Sequence, residues 1–185
     1  PPKWAHDGVA EGECMTYSIG FRSPDRGELG RELLLRMSDE PDELDAPVIY
    51  KDPKQEAVSN PAMIPEGMYE FAREALKKAM AEPLALERAL GEYLSDPKPN
   101  VWFEHGDENG MFESVVLDRR TRMMYDAKHI FINGESYLAG GRDATLMRKL
   151  ADTKALSRKD LATASDDALE LLSVWFDAGW VRSGD

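Results

Sequence analysis

Cysteine is almost missing from this chain: Cys14 stands alone among 185 residues, so no internal disulfide can staple the fold. A reducing cytoplasm is the expected setting. Long hydrophobic stretches are missing too, since no apolar run approaches the ~20 residues of a membrane-spanning helix. The first residues have neither the basic flank nor the apolar core of a secretory signal. Basic side chains are outnumbered, 23 against 35 acidic, which gives a formal net charge of −12. The acids concentrate in residues 39–70 and 104–113. Such a surface repels a phosphate backbone and attracts a basic partner, although most of these charges need serve only solubility. Histidine occurs three times, at positions 6, 105 and 129. What remains is ample for a core: 42% of the residues are hydrophobic, enough for one domain or two small ones.

The chemically distinctive stretch is the first, PPKWAHDGVAEGECMTYSIGFR. Met15, Tyr17, Ile19 and Phe21 alternate with Cys14, Thr16, Ser18 and Gly20, the two-residue period of a half-buried strand with a small polar face suited to lining a cavity. Before it, His6 sits in a Pro-Pro-x-Trp-x-His setting; its plainer reading is a histidine in a capped turn.

The run Pro1-Pro2-Lys3-Trp4-Ala5-His6-Asp7-Gly8, followed by Met15 to Pro24, resembles the last strands of the JmjC-type cupin barrel in bacterial ribosomal oxygenases. A fainter likeness continues through Tyr50-Lys51-Asp52-Pro53, Asn60-Pro61-Ala62, Ile64-Pro65 and residues 91–95. The resemblance implies an Fe(II)- and 2-oxoglutarate-dependent enzyme that hydroxylates an arginine of a large-subunit ribosomal protein. It makes His6 the distal metal ligand. It also places Thr16 near the co-substrate 2-oxoglutarate, though asparagine occupies that position in some relatives and an ordinary strand threonine is the alternative. Oxygen-activating non-haem iron needs two histidines and a carboxylate on one face. The family's H-x-D pair would precede Pro1, so the expectation is a C-terminal portion that is inactive by itself.

A substitute triad can be assembled from His105, Asp107 and His129. However, His105-Gly106-Asp107 lies in EHGDENG, whose composition is that of a solvated turn, and His129 leads the strand-like run His-Ile-Phe-Ile. The triad is therefore set aside.

Further along, Ser23-Pro24-Asp25 predicts a helix start with serine as the cap, and Leu29, Leu33, Leu34 and Met37 carry the helix to about residue 38. Residues 39–65 hold five prolines and predict an irregular connection. Pro65 opens a second helix whose stripe includes Met68, Phe71, Leu76 and Met80. Pro83 separates it from a third, with Leu86, Ala89, Leu90, Tyr93 and Leu94 facing inward. These faces exceed what one helical hairpin can cover, and the resemblance implies a helical dimerisation module here, hence a homodimer.

Short β-prone runs follow at 115–117, 121–126, 129–133 and 136–139, with Asn133-Gly134 as a hairpin turn. Gly140-Gly141 ends them. Three helices are expected next: 143–152, a short one capped by Ser157 with Asp160 in the capping-box position, and one capped by Ser165 and stopped at Gly179.

The expected fold class is thus α+β. Terminal strands of a double-stranded β-helix (JmjC/cupin) barrel occupy residues 1–22, a helical dimerisation region 23–97, and a winged-helix-like domain 98–185. The rival reading is a winged-helix regulator that binds nucleic acid. Residues 142–164 hold six bases and three acids, with Ser157 to Thr163 as the candidate recognition helix. No cluster of aromatic, Asn, Gln or Arg side chains reinforces it, so protein packing is the better role. A non-catalytic dimerisation scaffold is the third option.

Overall fold

The computed structural model describes residues 8–9, 11–15, 23–38, 48–56, 59–105 and 113–184. Three helices come first: α1 (Arg26–Ser38), α2 (Glu66–Ala81) and α3 (Ala85–Ser95). Four short strands follow, β1 (Val115–Leu117), β2 (Met123–Tyr125), β3 (His129–Ile132) and β4 (Glu135–Leu138). The chain then runs through α4 (Gly141–Thr153), β5 (Ala155–Leu156), α5 (Arg158–Leu161), α6 (Asp166–Asp177) and β6 (Val181–Ser183). Two three-stranded antiparallel sheets result, ordered β5-β1-β6 and β2-β3-β4.

The local signals explain most boundaries. Asn133 and Gly134 both have positive φ, 47° and 91°, as the tight β3–β4 hairpin turn requires. Ser157 and Asp160 form a reciprocal capping box at α5, and Ser165 accepts the Ala168 amide at the start of α6. Gly179, with φ 73°, closes a complete Schellman motif: its amide donates to the Phe176 carbonyl at 2.9 Å and the Trp180 amide to that of Trp175 at 2.8 Å. The start of α1 differs from expectation. Asp25, not Ser23, caps it, because its Oδ1 accepts from the Gly27 and Glu28 amides at 2.8 and 3.2 Å. A carboxylate satisfies two orphan N–H groups and complements the positive end of the helix.

One core lies between the two sheets and α4–α6. Val115, Ile130, Ile132, Leu150, Leu156, Leu172, Trp175 and Val181 are buried in it. Complete burial of Trp175 leaves one polar atom to satisfy, and its Nε1 donates to the Tyr137 hydroxyl at 3.3 Å.

Helix α3 joins this body by a face of small residues that overlaps the expected stripe at Ala89. Ala85, Ala89, Gly91 and Ser95 are its buried residues, while Leu86 is exposed. The reason is close approach: the Phe131 ring lies against Gly91 so tightly that a Cβ there would overlap it. Side-chain hydrogen bonds fix the contact, with the Gly134 amide donating to Ser95 Oγ (3.1 Å), Ser136 Oγ to Glu92 (2.5 Å) and Arg122 to the Asp96 carbonyl (2.7 Å). On its other side α3 packs against α1, and Arg36 of α1 reaches Asp96 at 2.5 Å.

Candidate functional site

The residues to which the resemblance assigns metal and co-substrate roles, His6 and Thr16, lie outside the described residues, as does most of the expected strand. Of that strand's apolar set Met15 is described, and it is exposed. The substitute triad finds no support. His105 Nδ1 is 2.8 Å from the Asp177 carbonyl at the end of α6. His129 is buried on β3, 3.1 Å from Asp126 and packed beside Phe131. Asp107 falls outside the described residues. Among the described residues no three His, Cys, Asp or Glu side chains are grouped so as to hold a metal ion. No described helix is long and apolar enough to cross a membrane.

Two other features stand out. The first is the helical face. Nothing in α2 is buried, and Leu76 and Met80 are 58% and 56% exposed, facing Leu34 and Leu35 of α1 across an open cleft of about 280 Å³ also lined by Met37 and Ala79. Near the other end of α2, Tyr50 stands edge-on to Phe71, ring centroids 5.7 Å apart, with its hydroxyl against Gly67. The expected apolar stripe is therefore real and uncovered.

The second is a buried carboxylate that the sequence did not single out. Asp118, just after β1, receives the Arg120 Nε at 2.8 Å and the Arg120 amide at 2.9 Å, and it pairs with Arg182 of β6. Arg120 continues to the Trp102 carbonyl at 2.7 Å and lies over the Phe103 ring. Hydrogen bonding from Arg120 lowers the Asp118 pKa; burial opposes this, and the Arg120 amide and the Arg182 charge add to it. With every oxygen committed to structure, the group acts as a tie between segments and not as an acid or base.

The candidate recognition helix of the rival nucleic-acid reading is also displaced. In a helix-turn-helix the second helix is the one presented to the groove, and here that position belongs to α6, not to residues 157–163. Helix α6 carries Asp166, Asp167, Glu170 and Asp177 and no base. Four of the six bases in residues 142–164 are engaged: Arg148 with the Asp126 and Ala127 carbonyls, Lys149 with Asp160, Lys154 with the Ala151 carbonyl and Arg158 with Glu113. The Lys149 contact, followed by those from Ser157, takes the Asp160 pKa down to about 2. A phosphate backbone would meet carboxylates on the presented helix.

The order α4-β5-α5-α6-β6, with β1 inserted between β5 and β6, defines a winged-helix protein whose central sheet strand comes from ahead of the helices. A family model described as ROXA-like winged helix matches residues 77–182, more than half of the chain, and the chain belongs to that family. Among solved structures it is similar to the Escherichia coli ribosomal oxygenase YcfD, with TM-score 0.63 and 18% identity over 89% of this chain and 47% of that one. YcfD in complex with cobalt and 2-oxoglutarate gives TM-score 0.62 and 20% identity over 89% and 47%. The complex with cobalt and succinic acid gives 0.61 and 19% over 89% and 48%. The chain thus spans about half the length of these structures. No curated protein matches it by sequence.

Proposed function

We propose that this chain is the C-terminal part of a metal- and 2-oxoglutarate-dependent oxygenase of the ribosomal-oxygenase type, acting in the cytoplasm on an arginine of a basic large-subunit ribosomal protein. The observation that carries the reading is the ROXA-like winged helix over residues 77–182, in a fold shared with an oxygenase solved with 2-oxoglutarate. In this proposal residues 1–22 belong to a JmjC/cupin barrel, His6 supplies one iron ligand, Thr16 lies near the co-substrate, and an H-x-D pair comes from sequence ahead of Pro1. The described residues do not fit a metal centre by themselves, because His105 and His129 each have another partner. They contribute the scaffold and the acidic surface that favours a basic client. Given Fe(II) and 2-oxoglutarate, the protein extended upstream is expected to form succinate, and His6→Ala to abolish it. Full turnover by the His6→Ala variant would remove His6 from the centre; no turnover by the parent would remove the oxygenase reading.

Residues 23–97 are proposed to dimerise through α1 and α2. Uncovered Leu34, Leu35, Leu76 and Met80 support this, since apolar side chains gathered in one cleft gain about 25 cal/mol for each Å² withdrawn from water. Light scattering is expected to give a dimer for the parent and a monomer for Leu76→Asp/Met80→Asp, with unchanged circular dichroism because both positions are already exposed. A monomeric parent at tens of micromolar would end this assignment.

A further inference from the structure

We infer that the α6 face of the winged helix is a docking surface for a lysine- and arginine-rich polypeptide segment that inserts one apolar side chain beside Trp175. This rests on the local surface alone and stands whether or not the chain belongs to an oxygenase. A cleft of about 240 Å³ opens between β4, α4 and α6. Ile130, Tyr137, Met147, Leu171 and Trp175 form its floor. Most drug-sized ligands occupy clefts of about 300–1,000 Å³, so this one suits a single side chain better than a free small molecule. At its mouth Leu138 is 79% exposed.

The charge around the cleft selects the partner. Asp143 and Asp167 line it, and Glu170 follows Asp167 at the i,i+3 spacing that makes the two neighbours on the surface of α6. Among the described residues Asp166, Asp167 and Glu170 have no ion-pair partner; Asp143 is held by Ser165 Oγ at 2.7 Å. Arg142 is the base close enough to influence Asp143, and one guanidinium leaves the rim net negative. Apolar floor and acidic rim together fit a cationic segment with an apolar anchor. Phosphate-bearing partners are repelled by the same carboxylates, and an acidic peptide would be too.

Fluorescence anisotropy with the whole chain tests this, using a labelled Lys/Arg-rich peptide with one central leucine and the same peptide with serine in its place. The leucine peptide is expected to bind more tightly than the serine form, and to weaken as salt rises because exposed charges are screened. Asp167→Lys/Glu170→Lys is expected to reduce affinity by about tenfold or more, and Leu138→Ser to narrow the gap between the two peptides. Glu70→Lys/Glu87→Lys, which changes net charge equally on exposed positions of α2 and α3, should have little effect. All four positions that distinguish the surfaces are exposed, so folding should survive. Equal loss with both double variants would reduce the effect to bulk charge and overturn the site. Equal binding of the two peptides would remove the anchor pocket, and preference for duplex DNA over peptide would overturn the partner class.

Discussion

Gly179→Ala should destabilise the protein by about 3–5 kcal/mol and lower its melting temperature by roughly 10 °C, in thermal unfolding monitored by circular dichroism. Two independent penalties combine. The residue has φ 73°, a left-handed conformation that costs a side chain of order 1–3 kcal/mol. The added methyl would also fall on the backbone carbonyl of Glu104, which lies directly against this glycine. A backbone group cannot rotate aside as a side-chain tip can, so the 102–105 segment would have to lift. That segment carries Trp102, Phe103 and His105, which hold Arg120, Trp180 and the end of α6 respectively, so the damage should spread beyond the turn. Gly30→Ala is the matching control. Gly30 lies inside α1 with open space around it, and alanine there should stabilise by up to ~1 kcal/mol. Equal melting temperatures for Gly179→Ala and the parent would show that the turn relaxes freely.

The contrast between these two glycines also marks what the sequence could and could not reveal. Signals confined to a few neighbouring residues were legible: the Asn133-Gly134 turn, the Ser157/Asp160 capping box, the Ser165 cap and the stop at Gly179. Each is a backbone requirement met by the turn residue itself or by a neighbour within a few positions. Features defined by a distant partner were not. Strands β5 and β6 are two and three residues long and exist because β1 pairs with both; no period can be read from so few positions. On α3 the expected stripe holds at Ala89, which is buried, and fails at Leu86, which is exposed; hydrophobicity favoured Leu86, whereas the Phe131 ring sits against Gly91, a residue with no apolar signal. Position 157–163 looked like a recognition helix because of its bases, yet topology gives that place to the acidic α6. The expected site followed a similar division. His6 and Thr16 came from resemblance and remain proposals, whereas the acid-rimmed cleft beside Trp175 draws on β4, α4 and α6 and has no signature in any one of them.

Asp118→Asn should cost about 1–3 kcal/mol at pH 7 and should cost progressively less as the solution is acidified, measured as the gap in unfolding free energy between variant and parent. At neutral pH the carboxylate is buried and holds Arg120, Arg182 and the Arg120 amide together. An amide keeps one acceptor oxygen but turns an NH₂ toward a guanidinium, losing the charge-assisted bonds. Because the arginine side chains are 37% and 57% exposed, water can take them up. The cost therefore stays below the ~3–5 kcal/mol of a fully buried pair broken on one side. The pH sign follows from the lowered pKa of Asp118. Its stabilisation is complete above the ordinary aspartate range near pH ~3.9 and is lost as pH falls through the lower folded-state value, since the unfolded chain takes up the proton first. Protonated aspartic acid and asparagine are nearly isosteric and both uncharged, so the two proteins should converge at the acid end. Asp126 and Asp143 also have lowered pKa values, but they titrate in parent and variant alike and cancel in the difference. A gap that stayed constant down to the acid limit would mean that Asp118 contributes through shape and not through charge.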